Sequence, residues 1–279
     1  MIKDFIKNSL FSLKKKKYNF APVFIIGCGR SGTTILGKTL GKHKDIKYLN
    51  ERRDLWHKAY PEFDIWNGNI TNSKLFANKT DINIKKNNLL QKLLFREQVL
   101  GNATILLEKL PINNFRLDFL NSSFPKAKYI YLTRNGLEVS ASIEKRIKNK
   151  NWFTQNKYAL LQKFYNKHYE IFNCNTFSDI EKGMWEWKMS IDQSDQFFKT
   201  LNSQAFIHLS YTDLTETPKS SIEKILKFLN LEYSNNNLNY MCKNIQRNTL
   251  ILNKTKNNSL LKLGGKILSE TIDNTYYPI

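Results

Sequence analysis

The stretch that decides the fold is VFII (Val23–Ile26), then GCGRSGTT (27–34), then ILGKTLGKH (35–43). Pro22 and Gly27 bracket four consecutive apolar residues, which reads as a short strand buried on both faces of a parallel sheet. Ile35, Leu36 and Leu40 recur at helical spacing, with Gly41 near the expected stop. The segment is therefore strand, glycine loop, helix. Working outward, 48–56 (YLNERRDLW) reads as the end of a second strand and its loop. Residues 61–84 are polar, Asn-rich and irregular. An amphipathic helix covers 89–100, a buried strand 104–109, and Pro111 opens a helix carrying Phe115, Leu117 and Leu120. YIYL (129–132) is a strand followed by a helix over 137–147. Residues 149–178 are rich in aromatics and Lys and take no assignment. A long helix covers 180–201 and a strand 205–209. Thr217 is an expected N-cap with Pro218 at the first helical position, and a short helix is expected over 260–268. Strands alternating with helices predict an α/β fold, a P-loop-like three-layer α/β/α arrangement with a mainly parallel central sheet. One domain over 1–279 is expected.

Composition bounds the function. The 279 residues are 41% hydrophobic and 24% charged, enough for a real core and wrong for disordered or fibrous chains. No apolar run reaches the ~18 residues of a membrane span. The three cysteines, Cys28, Cys174 and Cys242, are widely spaced and no CxxC is present, so neither a disulfide framework nor a zinc site is expected. A reducing, cytoplasmic setting fits. Residues 1–20 form a basic extension whose charges interrupt any secretory apolar core. Ile2, Phe5, Ile6, Phe11 and Leu13 fit one face of a short helix that either touches an anionic membrane peripherally or packs on the domain. The net charge of +20 biases partners towards anions. No nucleic-acid motif accompanies it, so nucleic acid is not an expected partner.

GCGRSGTT resembles a P-loop, G-x-x-x-x-G-K-[ST], but Thr33 stands where the Lys belongs. Backbone amides from Gly29 through Arg30, Ser31, Gly32 and Thr33 to Thr34 can still cradle an anion at a helix N-terminus. A triphosphate-dependent kinase is disfavoured by Thr33. Cys28, in the same loop, reads as a small filler rather than a nucleophile. In YLTRNGLEVSASIEKR, Arg134 follows a strand, and Ser142 and Arg146 stand one helical turn apart. Together they make a second anion site. Both motifs lie at the carboxyl ends of strands, where open α/β sheets bind ligands.

These residues resemble the sulfotransferases that use 3′-phosphoadenosine 5′-phosphosulfate, and are closest to bacterial enzymes related to tyrosylprotein sulfotransferases. GRSGTT is similar to the family's 5′-phosphosulfate loop, and Arg134 with Ser142 to its 3′-phosphate motif. The segment 209–231 is similar to a later motif that puts Tyr211 near the nucleotide. The resemblance implies Arg30 and Lys109 (in EKLP) as stabilisers of the leaving phosphate, Glu51 (in NERR) as general base and Arg146 as a further 3′-phosphate ligand. It implies sulfuryl transfer to a hydroxyl acceptor, such as a glycan or other cell-surface precursor, with no metal. Lys254, Lys256 and Lys266 are all candidates for a late nucleotide contact. Acceptor contacts are expected in the variable segments 57–103 and 148–179.

Arg52 and Arg53 flank Glu51 and compete with a base role unless they point elsewhere; His57 is the rival base. Trp56, Tyr60, Trp66 and Trp152 are candidates for a sugar-stacking wall, with core packing as the alternative. A non-enzymatic polyanion binder is the remaining alternative. It predicts steep salt dependence and no preference for a 3′-phosphorylated nucleotide.

Overall fold

A computed structural model describes residues 9–12, 19–66, 72–149, 152, 154–168, 176–246 and 267. Five strands form the sheet: β1 (Val23–Ile26), β2 (Ile46–Asn50), β3 (Ile105–Lys109), β4 (Lys128–Thr133) and β5 (Phe206–Ser210). Their order is β2-β3-β1-β4-β5 and every pairing is parallel. The register sets Asn50 opposite Lys109 and Ile25 opposite Lys109. The carboxyl ends of β1, β2 and β3 therefore lie together.

Alternation along β1 splits the core in two. Val23 and Ile25 face one layer, made by α1 (Thr33–Leu40), α9 (Pro218–Phe228) and α10 (Asn235–Cys242). Leu36 and Leu40 of α1 are fully buried there, each contributing roughly 1.5–3 kcal/mol. Phe24 and Ile26 face the other layer. It holds α2 (Arg53–Ala59), α3 (Ile84–Leu100), α4 (Leu117–Ser123), α5 (Gly136–Lys148), α6 (Gln155–His168) and α7 (Asp179–Phe198). Short α8 (Tyr211–Glu216) follows β5 directly. Gly183 lets α7 cross α5 closely, since a Cβ there would stand 2.9 Å from Ser140 Cα. The expected three-layer α/β/α architecture is the one observed.

The structure refines the sequence reading in four places. The chain after β2 is not loop through Trp56: α2 starts at Arg53, because Leu55, Trp56 and Ala59 share one face and bury it. Pro111 opens a 3₁₀ turn, Pro111–Phe115, and the α-helix waits until Leu117. Asn113 and Asn114 in that turn are buried, and their side chains bind Glu108 and the Gly27 amide. Within 149–178 a helix, α6, covers Gln155–His168. Thr217 sits at the cap position, but its hydroxyl donates backward to Asp213 O at 3.0 Å instead of accepting from α9.

In the N-terminal extension, residues 9–12 are helical and Phe11 packs edge-on against Phe95, with centroids 5.4 Å apart. That contact belongs to the domain-packed reading; Ile2, Phe5, Ile6 and Leu13 lie outside the described residues. So do Cys174, Lys254, Lys256, Lys266 and, apart from buried Ile267, the expected helix over 260–268. Among the described residues no helix is long and apolar enough to cross a membrane, and no group of three His, Cys, Asp or Glu could hold a metal.

Candidate active site

The loop after β1 turns on three residues. Arg30 has φ 73° and Gly32 φ 93°, both in the left-handed region, and the Ser31 amide closes a turn onto Cys28 O at 3.1 Å. Only glycine serves at 32: a Cβ there would meet the Tyr211 ring 2.6 Å away. The Gly27 amide is fixed by Asn114 Oδ1 at 3.1 Å. Cys28 is buried and burial pushes its thiol pKa far up, so it stays an inert thiol and fills space. The Ser31 hydroxyl is also buried and has no protein partner. Thr33 and Thr34 open α1.

One side of the loop meets β4 and α5. Arg30 Nε donates to Ser142 Oγ at 3.0 Å, a contact across 112 positions of sequence. Arg134 Nη1 donates to Arg30 O at 3.1 Å, its Nε donates to Glu138 Oε2 at 2.8 Å, and its guanidinium lies 4.0 Å from the centroid of Tyr211. Burial, and then the guanidiniums of Arg146 and Arg134, hold Arg30 below its ordinary pKa. That crowding of cations puts Arg146 in the same cluster. Arg30, Arg134, Ser142, Arg146 and Tyr211 are thus brought together, although Glu138 claims part of Arg134.

The other side meets β2 and β3. Lys109 is completely buried, and its Nζ donates to Thr34 Oγ1 at 2.9 Å and to Glu51 Oε1. A cation from β3 therefore reaches the loop that has no lysine of its own. Glu51 has φ 53°, and its amide donates to Lys109 O at 3.0 Å. Of its two arginine neighbours, Arg52 turns away, while Arg53 lines the same cavity as Glu51. Arg52 binds Asp54 and Glu97, and Arg53 lies 4.7 Å over the Trp66 ring. His57 is half exposed, sits 3.4 Å from the Asp64 carboxylate and does not line the cavity.

A cavity of about 260 Å³ opens beside Gly29 and Glu51. Trp66 and Trp152 line it, whereas Trp56 and Tyr60 go into the core. The four-aromatic wall is thus corrected to two. Trp152 donates to Glu186 Oε2 at 2.8 Å, and Lys157 pairs with the other oxygen at 2.9 Å. Trp66 comes from segment 57–103, and Trp152 and Lys157 from 148–179.

Sequence reasoning missed two buried groups behind the site. Glu108 accepts from Trp56 Nε1 and Asn113 Nδ2, and burial pushes it up to about 8. Arg116 donates to the carbonyls of Phe63, Lys74 and Leu75, and burial lowers it to about 9. No one-dimensional signal separates them from surface charges. Glu186 and Lys157 were missed for the same reason.

The profile of the sulfotransferase family matches residues 22–235. Sulfotransferase 2A1 of Macaca fascicularis is 30% identical over 156 residues, which is 55% of this chain and 48% of that protein. An uncharacterized protein of Aquifex aeolicus is 25% identical over 243 residues, 78% of this chain and 26% of its own length. The chain thus spans less than half the length of these curated relatives. Among solved structures, a sulfotransferase from Mycobacterium avium shares the fold with a TM-score of 0.59 at 12% identity, covering 98% of this chain and 82% of that one. With the profile running unbroken from the residue before β1 to the first residue of α10, over a parallel sheet whose strand ends carry the glycine loop and the arginine cluster, the chain belongs to the sulfotransferase family.

Proposed function

We propose that the protein transfers a sulfuryl group from 3′-phosphoadenosine 5′-phosphosulfate to a hydroxyl, in line and without a metal. The observation that carries this reading is the Arg30–Ser142 hydrogen bond. It joins the loop after β1 to the helix after β4, so two anion-binding motifs serve one ligand. Lys109 and Thr34 stand at the opposite side of the same loop. The ligand must therefore offer separated anionic groups, as a 3′,5′-bisphosphorylated nucleoside does. The buried Ser31 hydroxyl without a protein partner fits a loop built around a bound group.

When bound, the donor supplies the sulfuryl group; the rest is done by the chain. The loop amides and Ser31 bind the 5′ end, and Arg134, Ser142 and Arg146 hold the 3′-phosphate. The Tyr211 ring, stacked under Arg134, borders the nucleoside. Arg30 and Lys109 oppose negative charge on the leaving phosphate, fixed cations in a site that needs no reorganisation at the moment of reaction. The Glu51 carboxylate takes the acceptor proton, with Lys109 holding it in place through Oε1. Trp66 and Trp152, each with a cation over one face (Arg53 and Lys157), wall the space for the acceptor, which suits a sugar ring of a glycan. A cytoplasmic location is part of this reading, supported by thiols kept free at Cys28 and Cys242.

The test is ligand-linked stability. Adenosine 3′,5′-bisphosphate raises the melting temperature, and AMP, which lacks the 3′-phosphate, does much less. At a hundredfold excess over Kd the expected gain is about 2.7 kcal/mol. Equal shifts from the two nucleotides would remove Arg134, Ser142 and Arg146 from the site.

A further inference from the structure

A second cavity, of about 320 Å³, lies between the 73–81 turn and α6 and shares Leu75 with the first. Its floor is aromatic. The rings of Phe164 and His168 lie 4.2 Å apart, and Phe76 is within 6.0 Å of both. Its rim is basic. Lys74 is matched by Asp81 at 2.6 Å, and the exposed Lys163 and Lys167 stand beside that pair on the cavity rim. Neither has an acidic partner among the described residues; Lys167 Nζ lies 5.7 Å from the Phe76 centroid. His168 is held below its ordinary pKa by burial and by Lys167, so the lysines carry the charge.

In several other helices a lysine is matched by an acid one turn away: Glu144 with Lys148, Lys188 with Asp192, Glu223 with Lys227. Lys163 and Lys167 are instead a like-charge pair one turn apart, which destabilises a helix by a few tenths of a kcal/mol. Both line the same cavity over flat rings. Lysine ammoniums attract carboxylate, sulfate or phosphate as point charges, without the fork geometry of arginine. The first cavity, at about 260 Å³, is below the usual range for a drug-sized ligand and takes one ring of an acceptor. The rest of a longer acceptor must continue outward, and Leu75 borders both spaces.

We propose that this second cavity is an acceptor subsite for an anionic saccharide unit, adjoining the unit that presents its hydroxyl to Glu51. The inference rests on the saccharide reading of the acceptor given above. It makes the substrate class an acidic oligosaccharide.

The test is calorimetric titration of the full chain with two tetrasaccharides, hyaluronan tetrasaccharide (with carboxylates) and neutral chitotetraose, with and without saturating adenosine 3′,5′-bisphosphate. The acidic probe is expected to bind about tenfold tighter, with the advantage shrinking as salt rises. Lys163→Ala/Lys167→Ala should reduce that advantage to less than about twofold, and Lys163→Gln/Lys167→Gln should do the same with the helix length of side chain kept. Lys219→Ala/Lys224→Ala, on exposed positions of α9, removes the same net charge and should leave the advantage intact. Equal binding of the two probes, binding of neither, or equal losses in the two alanine pairs would overturn the subsite. Failure of the bisphosphate to bind sinks the nucleotide reading instead; the titration without it still decides the subsite.

Discussion

Lys109 is a charge with no access to water, and such a charge costs several kcal/mol unless it is paired. Thr34 and Glu51 are its partners, which ties the base candidate to the loop that would hold the leaving group. Replacing Glu51 by Gln keeps the shape and removes the proton acceptor. Turnover should fall by about 10²–10⁴-fold. Nucleotide affinity, set by the loop and the arginine cluster, should change by less than about tenfold. Arg30→Ala and Lys109→Ala should each cut turnover by about 10²–10³-fold. His57→Ala, facing Asp64 and away from the cavity, should stay active. Steady-state transfer at saturating donor checks all four, and an active Glu51→Gln beside an inactive, folded His57→Ala moves the base to His57. The loop residues and Arg134 with Ser142 were legible because a short motif fixes them locally. Glu108, Arg116 and Glu186 were not, since their significance is burial against partners distant in sequence.

Two helix starts separate support from function. Ser178 and Glu181 form a reciprocal cap on α7, and Ser178→Ala should cost about 1 kcal/mol of stability without touching nucleotide affinity. Asn135 caps α5 by accepting from the amides of Leu137 and Glu138 at 3.0 and 3.1 Å. That cap lies between Arg134 and the Glu138 that holds it, so Asn135→Ala should cost similar stability and also weaken adenosine 3′,5′-bisphosphate binding. Thermal melts with and without the nucleotide separate the two effects, and equal ligand shifts in both variants would detach α5's start from the site. The strands and α1 were readable because continuous apolar runs and helical spacing coincide with Gly and Pro punctuation. The helix α2 was missed because its charged opening, Glu51 to Asp54, hides the face formed by Leu55, Trp56 and Ala59. The segment carrying α6 has too many aromatics for its buried face to stand out.

Across the whole molecule, one sheet supports both cores, and a buried carboxyl group on it sets a pH dependence. Glu108 is raised by burial from 4.5 to about 8, so the folded chain holds a proton there that the unfolded chain releases. Its contribution to stability is full below about pH 4.5, declines as pH rises towards about 8 and is flat above. Glu108→Gln should flatten that decline; melting temperatures of both proteins from pH 5 to 8.5 measure it, and parallel curves would assign the titration to another group. The strand order also requires an account of Arg30 beyond chemistry. Among the described residues, four non-glycines have positive φ: Asn102 and Asn230, whose type tolerates it, and Arg30 and Glu51, whose type does not. Arg30 adds crowding by Arg146 and Arg134 to that backbone cost. Arg30→Gly should therefore melt higher while losing turnover by about the same 10²–10³-fold as Arg30→Ala. If Arg30 stabilises the leaving group as proposed, a library of variants screened for heat resistance alone should enrich glycine at this position at the expense of turnover, so the two selections at position 30 run in opposite directions.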